Sequence, residues 1–134
     1  MRPLVVFPDA ERVVVDYLTA ALAERGEDAT VGVNVPPSWT PGQNRHVQVA
    51  WDGTPSLTYP AVSRATVRVT CWSSSPTASK SLVGLCQALL LTHPGGDGVG
   101  NVRELTGVLP AQDPDTKAQL ASITVRVSLR GALI

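Results

Sequence analysis

From Ala65 to Cys71, and again from Ala121 to Arg130, apolar and polar residues strictly take turns. Ala65, Val67, Val69 and Cys71 alternate with Thr66, Arg68 and Thr70. Ala121, Ile123, Val125, Val127 and Leu129 alternate with Ser122, Thr124, Arg126, Ser128 and Arg130. A period of two is that of a strand, whose successive side chains leave opposite faces. Such a strand has one face on a core and one in water, the habit of antiparallel or mixed sheets. The apolar face must then be covered by something else in the chain.

Two helices are predicted to supply that cover. In the first, Ala10, Val14, Tyr17, Leu18, Ala21 and Leu22 recur at three- and four-residue spacing. Asp9 caps its start, Glu11 suits the positive end of its dipole, and Gly26 stops it. The second begins at Ser75-Pro76, a capping hydroxyl followed by proline in the first turn. Its apolar face is Ala78, Leu82, Leu85, Cys86, Leu89 and Leu90, and His93-Pro94-Gly95-Gly96 ends it.

Three weaker strands complete the pattern. They are Val31 to Val35, a segment carrying Val47, Val49 and Trp51, and Val99 to Val108. Ser38 to Asn44, Thr54 to Ser63 and Leu109 to Thr116 read as loops. The expected fold is α+β, in the order α-β-β-β-α-β-β. It has one mixed, mostly antiparallel sheet of about five strands and two amphipathic helices on one face. A chain of 134 residues suits a single domain over its whole length.

The charge balance removes several functions. Eleven basic residues stand against eleven acidic ones, so the basic excess of a dedicated nucleic-acid binder is missing. Apolar residues reach 43% and charged residues 16%, which excludes a disordered acidic protein. The apolar N-terminal stretch, Leu4 to Phe7, is too short for a signal peptide, and no run approaches a membrane span. The expectation is a soluble, cytoplasmically made protein with no membrane partner. Cys71 and Cys86 are too few for a disulfide framework and read as two buried thiols or as one bridge between packed elements.

The chemistry-bearing residues do not converge. His46 falls on the polar side of a strand and His93 at a helix end, and no Gly-x-Ser-x-Gly elbow is present. Asp113 and Asp115 lack the further oxygen ligands of a calcium loop and read as a turn. The glycines from Gly95 to Gly100 follow a helix and precede a strand, the reverse of a phosphate-binding loop. No catalytic residue, metal site or cofactor is expected.

The nine arginines against two lysines carry more information. Arg68, Arg126 and Arg130 should share the polar face of two strands. They either keep a sheet soluble and unpaired or form a protein interface, where arginine is enriched and lysine depleted. Trp39, in a proline-rich loop, either anchors a partner or tucks over the end of its own core. Candidate subunit or partner contacts are Trp39, Arg45, Arg64, Arg68, Arg126 and Arg130.

The order of elements resembles the tail terminator, or tail completion, proteins of long, non-contractile-tailed phages of actinobacteria. The resemblance rests on Phe7-Pro8-Asp9-Ala10-Glu11 leading into Val13 to Leu18, the Val35-Pro36 turn, and His46-Val47-Gln48-Val49. It continues through Ala65 to Trp72, Gln87-Ala88-Leu89-Leu90, Leu109 to Asp115 and Ile123 to Gly131. Two places depart from the family: Lys117 to Leu120 stands where an aromatic opens the last strand, and Trp39 where a basic residue is usual. The resemblance implies a structural virion protein without catalysis or cofactor. It would form a ring, typically of six copies, on the head-proximal end of the tail tube. Its partners would be itself, the tail tube protein and the head–tail connector. DNA would pass through the lumen without sequence recognition. Its place would be the virion, and the host cytoplasm during assembly. The competing readings are another neck protein of the same particle and a small ligand-binding or enzymatic domain. The last requires a pocket with converging polar groups.

Overall fold

Both alternating stretches are strands, and they pair with each other along their whole length. In the computed structural model, which describes residues 2–134, the element order is β1 (Val5–Val6), α1 (Ala10–Glu24), β2 (Ala29–Gly32), β3 (Arg45–Trp51) and β4 (Ser56–Thr58). There follow β5 (Val62–Ser73), α2 (Pro76–Leu91), β6 (Val99–Gln112), β7 (Gln119–Arg130) and β8 (Ala132–Leu133). The sheet runs β2-β3-β5-β7-β6, with β4 pairing the start of β5. Only β2 and β3 are parallel. The fold is α+β with a mixed, mostly antiparallel sheet and both helices on one face.

The register explains the core. Val67 lies opposite Val125, Val69 opposite Ile123 and Cys71 opposite Ala121, while Val47 and Val49 face Cys71 and Val69 from the other side. All are fully buried. Ala10, Val14, Val15, Leu18 and Leu22 of α1 and Leu82, Val83, Cys86 and Leu90 of α2 lie on this surface. Each such side chain contributes about 1.5–3 kcal/mol of burial free energy. Ser79 is the polar exception on α2. Its hydroxyl donates to the Gln119 carbonyl at 2.6 Å and meets Ser73 Oγ at 2.6 Å, tying helix start to sheet end.

The helix ends follow the residues that mark them. Asp9 Oδ1 accepts from the Glu11 amide at 3.0 Å, and Ser75 Oγ from the Ala78 amide at 3.3 Å. Gly26 takes φ +74 just past α1, so its amide and that of Glu27 turn back to the Ala23 and Leu22 carbonyls.

Four expectations are corrected. The sheet has six strands, because Ser56–Thr58 of the expected loop forms β4 against Val62, Ser63 and Arg64. A separate two-stranded ribbon joins β1 to β8. The first sheet strand covers 29–32 instead of 31–35; the chain bends at Val33, which is 41% exposed. The strand expected to end at Val108 continues through Pro110 to Gln112. Proline is tolerated there because β6 is an edge strand and its outer groups need no ladder donor.

Candidate functional site

The face of the sheet away from the helices is uncovered over most of its extent. The register places Arg64, Thr66, Arg68 and Thr70 of β5 on it, beside Ser128, Arg126, Thr124 and Ser122 of β7. Arg103 of β6 lies directly opposite Arg126. Arg64 and Arg68 flank Arg126 diagonally from the other side. Arg130, by the same alternation, ends the row. Five guanidinium groups therefore share one face.

Their pairing is sparse. Arg68 reaches Asp52 at 3.1 Å, with both side chains about half exposed. Arg64 donates to Thr58 Oγ1 at 3.4 Å. Among the described residues, Arg64, Arg103, Arg126 and Arg130 form no salt bridge. Like charges directly opposite across a strand pair are destabilising. The Arg103–Arg126 juxtaposition therefore costs the fold something.

Arg103 is the member that sequence reasoning missed. The register of β6 shifts between Val99 and Asn101, between Glu104 and Thr106, and between Thr106 and Leu109. Bulges break the period of two, so nothing in the local pattern assigns Arg103 a face.

Two other candidates lie elsewhere. Arg45 sits on the helix side, in phase with Val47, where it bonds Glu27 at 3.0 Å and the Asp28 carbonyl at 3.4 Å. It closes the edge of the core and does not join the arginine row. Trp39 is only 6% exposed. Its indole N–H donates to the Asn44 carbonyl at 2.8 Å, and its ring meets Trp72 edge-on at 5.8 Å. Of its two sequence readings, tucking over its own fold is the one found: Trp39 pins the loop before β3 onto one corner of the sheet.

His46 secures the same corner. It was expected on an exposed polar face but is 2% exposed beneath that loop. Nε2–H donates to the Asn34 carbonyl at 2.8 Å, which leaves Nδ1 to accept from the Thr30 hydroxyl at 2.7 Å. Burial lowers its pKa, against the opposing pull of the Asn34 bond. His46 is thus a neutral structural link.

The remaining polar groups have local roles. His93 packs against Tyr17 with centroids 4.4 Å apart and ring planes tilted by 43°, and its Nδ1 accepts from the Gly95 amide at 2.9 Å. Gly98, at φ +83, packs so close to Pro8 that a Cβ would lie 2.9 Å from its ring. The glycine run is a tight helix-to-strand turn. Asp113 Oδ2 accepts from the Thr116 amide and hydroxyl, both at 2.8 Å, and these bonds lower its pKa. Cys71 and Cys86 are unbridged and buried. A hydrogen bond between them, and then burial, raise the Cys71 pKa. Among the described residues, no three His, Cys, Asp or Glu side chains gather to hold a metal ion.

The helix layer has a concave feature of its own. A groove beside α1 is lined by Tyr17, Ala20, Ala21, Glu24, Arg25 and Leu89, with a volume of about 610 Å³. It continues past Tyr17 and Ala20 into a second hollow of about 360 Å³ bordered by Asp16, His93 and Asp97.

Among the described residues, no helix is long and apolar enough to cross a membrane. Compared with known proteins, the chain matches no family model, and no curated protein is significantly similar to it.

Proposed function

We propose that this chain is a structural subunit of a phage particle. It forms a ring on the head-proximal end of a long, non-contractile tail tube, stops tube-protein polymerisation there, and offers the joint for the head–neck connector. The observation that carries the reading is the open sheet face, with its row of sparsely paired arginines. A face of that kind suits a subunit completed by its neighbours, since arginine is the charged residue that interfaces favour. The resemblance in element order, from Phe7-Pro8 to Gly131, supplies the particle and the place within it. A ring needs two different patches that meet head to tail with a closing rotation. Closure and capping are non-covalent, so the work of the protein is contact.

The test is to add purified protein to growing tail tubes of its phage and measure tube lengths by electron microscopy. Tubes should stop growing and carry a ring at one end. The Arg68→Glu/Arg126→Glu variant should stay folded and leave the tubes uncapped. Unchanged elongation with no protein at tube ends would overturn the reading.

A further inference from the structure

We propose that the groove along α1 receives the arginines of the open sheet face of a second copy of this chain. The inference deepens, and rests on, the ring reading above. Its evidence is the way charge is divided. The chain is neutral as a whole, yet six of its eleven acidic residues fall between Asp9 and Asp28, against Arg12 and Arg25; of the six, Asp16 pairs with Arg12 and Glu27 with Arg45 of β3. The opposite face of the domain carries the arginine row, with Asp52 as its one paired carboxylate. The neutral total therefore hides an acidic excess on the helix side and a basic excess on the open sheet face, with Asp97 and Arg130 lining one hollow in common.

The groove also offers room for an arginine side chain. Asp16, Glu24 and Asp97 border the groove beside one lining cation, Arg25, with Asp16 also bonded to Arg12, and Ala20 leaves it open between them. A guanidinium on a long flexible stem fits such a depression and meets carboxylates at its rim. On the other side, β5, β7 and β6, about 4.8 Å apart, carry the five arginines across the uncovered part of the sheet. The two surfaces differ from each other, so the contact is heterologous and propagates from copy to copy until it closes.

Edge-to-edge pairing of sheets is the obvious alternative, and the strands discourage it. The outer edge of β6 is interrupted by three register shifts and by Pro110. At the other edge, β2 has only four residues.

The experiment uses full-length protein carrying charge reversals at exposed positions. One variant is Arg103→Glu/Arg126→Glu and the other is Asp16→Arg/Glu24→Arg. Circular dichroism and melting check that each folds, and native mass spectrometry reads assembly over a concentration series. Each variant alone should need at least about tenfold more protein to assemble than the wild type. Mixed one to one, the two should assemble again, because each reversed surface then meets its complement on the other copy. Combining all four substitutions in one chain should also restore assembly. Variants that assemble like the wild type would overturn the pairing and leave the ring reading standing. Variants that fall apart without recovering in the mixture would do the same, and would send the arginine row to a different partner. A wild type monomeric at every concentration and salt level would overturn both the pairing and ring formation in solution.

Discussion

On β5, Val67 and Val69 are completely buried, while the Arg68 side chain between them is 54% exposed. On β7, Val125 and Val127 are buried and Arg126 between them is exposed. The two faces share one backbone and one set of ladder hydrogen bonds. They differ in what covers them: α1 and α2 close one, and only the loop holding Trp39 closes a corner of the other. Apolar residues appear where a second layer arrives. Threonine, serine and arginine appear where none does, and they keep the face hydrated.

The largest effect should come from the covered face. Ile123→Ala removes a fully buried side chain between α2 and the sheet and should cost about 3–4 kcal/mol in urea unfolding. Trp39→Ala tests the covered corner of the other face and should cost about 3 kcal/mol. It should also speed amide exchange at residues 33–44, because the indole bond to Asn44 and the contact with Trp72 both go. A loss below about 1 kcal/mol would mean that Trp39 lies idle in the free subunit and is held for a partner.

Acid should probe the same corner. His46 has a folded pKa below its unfolded value, near 6.5, because burial disfavours the cation. Between those two values the unfolded chain binds the extra proton, so stability rises with pH there. It should be fully present above about pH 6.5 and fall as pH drops below it, by at most about 1.4 kcal/mol per pH unit. Denaturation midpoints of the wild type and His46→Gln across that range measure the difference. A wild-type slope equal to that of the variant would contradict the assignment.

The smallest effect belongs to the open face. Arg126→Ala should change the stability of the isolated subunit by less than about 0.5 kcal/mol, since it removes an exposed group and relieves the repulsion with Arg103. A large destabilisation would mean that the row serves the fold instead of an interface.

The faces themselves were legible because period-two alternation is the plainest signal a half-buried strand gives. Both helices, their covering faces and their caps at Asp9 and Ser75 were legible for the same kind of reason. The open face was legible at Arg68, Arg126 and Arg130, whose parity is unbroken; Arg64, a candidate contact, lay just before the expected strand, which in fact begins at Val62. Arg103 was not, because β6 bulges three times and its apolar residues Val99, Val102, Leu105 and Val108 fall three apart. Arg45 could have been placed, since it shares parity with the buried Val47 and Val49. The burial of His46 and Trp39 was illegible in principle. It arises from a loop folding back over the sheet, a long-range event with no local period. The β1–β8 ribbon joins residues near opposite ends of the chain, and two-residue strands carry no pattern to read.

If the open arginine face joins copies of this chain into a ring, assembly must respond to salt. Native mass spectrometry of the wild type over a concentration series, at about 10 mM and about 1 M salt, tests it most directly; the Debye length falls from about 30 Å to about 3 Å across that range. One closed oligomer, six copies by the resemblance, should form and should dissociate as salt rises. A monomer under all conditions, or an oligomer indifferent to salt, would contradict it.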